Sequence, residues 1–370
     1  MRRFILSILI LLSLGVNGQV IIASSPYKPV TASGGGAGFS RSITVDHTKV
    51  PNTDQTDFPV LLTGTYSYLA DQAHGGKAIT GNHGNDITIT TSAGSTSYLK
   101  FQLVYWDSTT GFIELYFKAP TLTTAEDYVA WINYGDATVN TYKGDNVNTW
   151  NSNFKGVYHF GDGTNLSVND ATSNAINGTN HSTTATSGQI GGAINFNGTN
   201  QYVDYGDNFG ITGDITIELW SNATNIVSIL SKVQTASGKS NPIKLSYYGG
   251  TNKLGLFLGD GSAETISSSS TLQSASTWTY LAVTMSSTTY QFYFNGNTDG
   301  SGTNSATRTN SGTVNCTLGT NSGVGTEWYA GKMDELRIST TARSADWIKT
   351  TYNNQSSPAT FYTLGGEIAL

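Results

Sequence analysis

The chain has one cysteine among its 370 residues, so no intramolecular disulfide can brace it. That residue, Cys316, stands in TVNCTLGT between Val314 and Leu318, where a small buried hydrophobe is expected rather than a reactive thiol. Charge is scarce as well: Asp, Glu, Lys and Arg make up 12% of the residues and the net charge is −6. No Lys/Arg cluster is available to displace counterions from a phosphate backbone, so nucleic acid is not an expected partner. Metal-ligand spacing is missing too. The five histidines, His47, His74, His83, His159 and His181, are scattered and form no HExxH pattern. The glycine run GGGAG lacks a following helix and a phosphate-loop lysine, which removes nucleotide binding from consideration.

One apolar run stands out. The first residues read MRRFILSILILLSLGVNGQ, with two arginines, an apolar stretch over residues 4–14 and small residues before Gly18. This is the pattern of an export signal cleaved after Gly18. The stretch is shorter than the roughly 20 residues a membrane-spanning helix needs, and no later segment is apolar enough to span. Residues 19–38, rich in Gly, Ser, Pro and Thr, read as a flexible leader.

What remains is a chain of strands. Over residues 39–144, SITVDH, FPVLLTG, DITITTS, YLKFQLVYW, FIELYFKAP and DYVAWINYG alternate polar and apolar residues and are bounded by Gly, Asn, Asp or Pro. A period of two means strands with one buried face, and a compact antiparallel sandwich is the expected architecture. Residues 145–365 continue through AINFNGTNQYVDYGD, ITIELW, IKLSYYGG, KLGLFLGDG, TWTYLAVTM, YQFYFNG and GKMDELRIS. Their number suits a jelly roll of two sheets. Asn197-Gly198 and Asn295-Gly296 each follow an alternating run and are expected to turn hairpins.

The order of these pieces resembles two known families. ITVDHTKVP, DFPVLL, HGGKAITGNHGNDITIT, WDSTTG, FIELYFKAPTL and INYGDATVN look like the domain of unknown function that often precedes laminin-G-like domains in secreted bacterial and some phage proteins. GGAINFNGTNQYVDYGD, ITIELW, TWTYLAVT with QFYFNG, and GKMDELRIS resemble the successive strands of laminin-G-like, concanavalin A-like jelly rolls. The expected fold is therefore all-β: a β-sandwich followed by a concanavalin A-like jelly roll.

Asp334 and Glu335 are the adjacent acids of KMDELRI. Glycosidases of the concanavalin A-like fold place two carboxylates on one side of a strand, about 5 Å apart in retaining enzymes. Alternation puts neighbouring side chains on opposite faces, so no catalytic pair is expected and the chain is not read as an enzyme. The resemblance implies for Asp334 a structural Ca2+, held with loop carbonyls or with Asp170 of NDATSNAINGT. That loop departs from the family pattern at Ala171, Ser173 and Ala175. The other reading is that Asp334 accepts backbone hydrogen bonds from a neighbouring loop. Glu335 and Arg337, two apart on one strand face, are expected to form an ion pair or to reach into neighbouring strands, and an exposed pair would contribute about 0–1 kcal/mol. His74 and His83 share one glycine-rich loop and could in principle meet at a metal, but the expected reading is a solvated hairpin loop. Ser344 is expected to cap a short helix ADWIKTTYNN.

The expected function is recognition without catalysis, of a glycan or glycosylated surface, by an exported protein. Sugars stack on aromatic rings and bond to Asn, Asp and Gln. Tyr247 and Tyr248 with Asp260 are the candidate contacts, while Trp220, Trp278 and Trp328 are assigned to packing. The competing class is a structural or adhesive component of a cell surface or virion appendage that binds no sugar.

Overall fold

The computed structural model describes residues 38–225, 227–233, 242–247, 253–259, 264–304, 308, 310, 313–321 and 327–370, all within the compact unit Gly36–Leu370. The first alternating runs become β1 (Phe39–Val45), β2 (Gln55–Thr65), β3 (Thr88–Thr90), β4 (Phe101–Trp106), β5 (Phe112–Leu122) and β6 (Tyr128–Tyr134). Alternation turns one side of each inward. Ile43, Val45, Val60, Leu62, Ile113, Leu115, Ala130 and Ile132 are accordingly buried together. The strands form one sheet in the order β2-β5-β4 and a second containing β1-β6-β3. Between β4 and β5, Asp107 accepts bonds from the Thr109 amide and the hydroxyls of Thr109 and Thr110, which hold its carboxyl at about 2.

A single turn, α1 (Asn146–Thr149), leads to the jelly roll. Its strands are β7 (Phe154–Tyr158), β8 (Thr179–His181), β9 (Thr184–Ser187), β10 (Gly192–Asn197), β11 (Tyr202–Asp204), β12 (Ile215–Asn225), β13 (Ser228–Lys232) and β14 (Ile243–Tyr247). They continue with β15 (Lys253–Gly259), β16 (Glu264–Leu272), β17 (Thr279–Ser286), β18 (Thr289–Phe294), β19 (Asn297–Thr303), β20 (Thr317–Leu318) and β21 (Ala330–Ser339). One sheet runs β19-β18-β17-β12-β21-β10-β9, with β7 also on β21, and the other runs β16-β15-β14-β13-β20-β11-β8. Their facing sides enclose an interior that includes Ile217, Leu219, Leu245, Val283, Leu318 and Ile338. Cys316 is buried there as expected, and burial pushes its thiol up to about 12.

The two Asn-Gly turns differ. Asn295 and Gly296 both take positive φ, 49° and 70°, and join the paired strands β18 and β19. Asn197-Gly198 does not make a hairpin, because β10 and β11 belong to different sheets. It turns the chain from one sheet to the other, with the Asn197 side chain accepting the amide of Thr199.

After β21 the hydroxyl of Ser344 accepts the amide of Trp347 and starts α2 (Ala345–Ser356). A short α3 (Pro358–Phe361) follows, then β22 (Tyr362–Leu364) and β23 (Ile368–Ala369), both antiparallel to β1. The outer side of the β12-bearing sheet is therefore covered. Trp220, Tyr280 and Tyr293 from it share one apolar core with Phe58, Leu115, Trp347 and Ile348.

Candidate functional site

Strand β21 does not alternate cleanly. On β12, Trp220 faces Asp334 and Glu218 faces Arg337, which leaves Leu219 opposite two residues, Glu335 and Leu336. The extra residue makes a β-bulge. Within it Glu335 takes a left-handed conformation at φ 50°, a strain on the order of 1–3 kcal/mol for a residue other than glycine. The bulge corrects the expectation that alternation parts the two acids. Met333, Leu336 and Ile338 enter the jelly-roll interior, while Asp334, Glu335 and Arg337, each at most 1% exposed, gather on the side facing the N-terminal sandwich.

Glu335 is the hub of this buried group. Its Oε1 lies 2.5 Å from His159 Nδ1, and Arg337 Nη2 donates to its Oε2 at 2.7 Å. Burial alone would raise its carboxyl, yet the charges of His159 and Arg337 hold it at about 2. The Arg337 guanidinium lies 5.1 Å from the ring centres of both Tyr116 and Trp150. The Glu335–Arg337 pair is present, but it is buried and not a surface pair.

Strand β5 brings a third acid, Glu114, from the N-terminal sandwich. It is wholly buried, and neither of its carboxylate oxygens has a hydrogen-bond partner. Burial first, then the charges of Glu335 and Asp334, push its carboxyl well above the usual range. Glu114, His159 and Glu335 each place one ligand atom within 4.8 Å of the other two. Asp334 Oδ2 accepts the amide of Ile190 at 2.9 Å, so the backbone-acceptor reading of this acid holds. Burial and the charge of Glu335 push the Asp334 carboxyl well up. The covering loop needs its glycines. A Cβ on Gly188 would stand 2.5 Å from Asp334 Oδ2, and one on Gly191 would stand 2.0 Å from Glu114 Oε2.

Asp170, the proposed partner of Asp334, is engaged elsewhere. It accepts the amides of Val157, Thr172 and Ile176 and so shapes its own loop. Among the described residues, neither Asp170 nor Asp334 belongs to a group of three or more metal-ligating side chains. His74 bonds Asp71 through Nδ1 at 2.7 Å, and no such group includes His74 or His83. Tyr247 corrects the ligand-contact assignment, because it is buried in the jelly-roll interior, where no sugar reaches its ring. Tyr248 and Asp260 lie outside the described residues.

A different set of rings is half-exposed on the jelly roll. His181 of β8 and Tyr202 of β11 are direct cross-strand partners, stacked at 4.1 Å with planes 3° apart. Trp328 lies 6.0 Å from Tyr202 and is half-exposed, which corrects its assignment to packing, whereas Trp220 is buried as that assignment requires. Val203, between these ring-bearing positions, points inward. The period-two pattern of QYVDYG marks Tyr202 as outward; its neighbour His181 is invisible until β8 pairs with β11.

Residues 197–349 match the family model described as the concanavalin A-like lectin/glucanases superfamily. No curated protein matches the chain. Among solved structures, domain 4 of an extracellular arabinanase from Geobacillus stearothermophilus, in complex with arabinotriose, is 20% identical with a TM-score of 0.42, covering 53% of this chain and 96% of that one. The carbohydrate-binding module of a Ruminococcus gnavus sialidase, bound to α2,3-sialyllactose, is 16% identical at a TM-score of 0.33, over 39% of this chain and 84% of that one. The receptor-binding domain of botulinum neurotoxin type G is 16% identical at a TM-score of 0.39, covering 55% and 52%.

Proposed function

We propose that this is an exported, non-catalytic recognition protein whose jelly roll binds a glycan on the rings of His181, Tyr202 and Trp328. The observation that carries the reading is that trio, half-exposed on one edge of a jelly roll whose family model is that of lectins and glucanases. Ring faces of this kind take the C–H faces of sugars. The acids support the absence of glycoside hydrolysis. Glu114, Asp334 and Glu335 stand together, but at 0–1% exposure no sugar can lie between them.

A glycan array with the full chain tests the reading. Saturable binding is expected, weakened about tenfold by Trp328→Ala or Tyr202→Ala, a change of about 1.4 kcal/mol. Silence across the array would favour a structural or adhesive role.

A further inference from the structure

We propose that Glu114, His159 and Glu335 bind a divalent transition-metal ion of the Zn2+ class where the N-terminal sandwich meets the jelly roll. The inference goes beyond glycan recognition and does not depend on it. Glu114 carries the argument. A carboxylate that is wholly buried with both oxygens unpartnered has lost its hydration with no hydrogen bond in return. It shares a 4.8 Å neighbourhood with an imidazole nitrogen and a second carboxylate.

The donor set selects the ion. One imidazole nitrogen with two carboxylate oxygens suits Zn2+ and its neighbours, whereas Ca2+ needs six or more oxygens. Bonds of about 2.0–2.2 Å to a tetrahedral ion set the ligand atoms about 3.4 Å apart. His159 Nδ1 and Glu335 Oε1 must open from 2.5 Å to reach that spacing. The surroundings suit such a site. Arg337 occupies Glu335 Oε2 and leaves Oε1 for the ion, while Gln102 Oε1 lies 3.4 Å from His159 Nε2 and orients the ring. A cleft of roughly 320 Å3 lined by Gln102, His159, Phe160 and Asp170 gives an approach from solvent.

The other grouping of this kind among the described residues, Asp46, His47 and Asp127, is more exposed, and its carboxylates already hold Thr48 and His47. None of its atoms is both buried and unpartnered, and it serves as the control. Bound ion in such a site links β5 to β21 and the end of β7, and so braces the junction between the two β units.

The full chain, stripped with chelator, is dialysed against Zn2+ and its metal content measured by mass spectrometry, with thermal unfolding run in parallel. One ion per chain and a midpoint raised by several degrees are expected, both lost in Glu114→Gln and both kept in Asp127→Asn. A chain that retains no Zn2+, as a protonated or water-bonded Glu114 would leave it, overturns the proposal. So does binding that survives Glu114→Gln or vanishes in Asp127→Asn. If Glu114→Gln does not fold, Co2+ added to the wild type decides: visible absorption typical of a tetrahedral nitrogen and oxygen site supports the assignment, and its absence overturns it.

Discussion

Arg337 is the bulkiest fully buried side chain among the described residues, held between two aromatic rings and the carboxylate of Glu335. Removing one member of a buried ion pair leaves the other charge stranded, at about 3–5 kcal/mol. Arg337→Met is expected to lower unfolding stability by that amount in guanidinium titrations; a loss below about 1 kcal/mol would show that the pair contributes no more than a surface one. The sequence made the pair legible, because residues two apart on a strand share a face. It could not reveal the burial, since the covering side chains come from β5 and from the end of β7. Glu114 and His159 were silent for the same reason: the His159–Glu335 contact spans 176 residues, and no local pattern marks it. Tyr247 misled in a related way. Adjacent tyrosines look like a surface, but alternation places Tyr247 beside inward Leu245.

Helix α2 shows how much a single element can disclose. Its cap, its acidic first turn and its apolar Trp347 and Ile348 were all readable from SADWIKTTYNN. One of its ties to the N-terminal sandwich was not. The Asn354 amide accepts the Leu61 N–H at 2.7 Å and donates to the Leu61 carbonyl at 3.0 Å, pairing with the backbone of β2 from the side. Asn354→Leu strands a buried donor and a buried acceptor, each worth about 1–3 kcal/mol. A stability loss of about 2–4 kcal/mol is expected, together with faster hydrogen exchange at the Leu61 amide; unchanged exchange there would refute the clamp. The bulge in β21 lay beyond sequence reading, since GKMDELRIS carries no glycine or proline at Glu335 to announce it.

Across the whole molecule, an apolar core runs from the N-terminal sandwich through α2 to the outer face of the β12-bearing sheet. Residues 145–370 produced alone would bare Trp150, His159 and Trp347, whose ring partners Tyr116 and Phe58 are missing. Such a fragment is expected to bind a hydrophobic dye and to lose its near-ultraviolet dichroism, while the full chain unfolds in one transition. Two separate calorimetric transitions in the full chain would contradict this. The pairing of β23 with β1 has a mechanical meaning. Phe39 sits opposite Ala369, and the Leu370 amide donates to the Gly38 carbonyl, so both strands leave the sheet at the same end. Tension applied between residues 38 and 370 falls on that outermost bond first and opens the ladder one rung at a time. The sheet parts like a zip, at low force, before any load reaches the jelly roll.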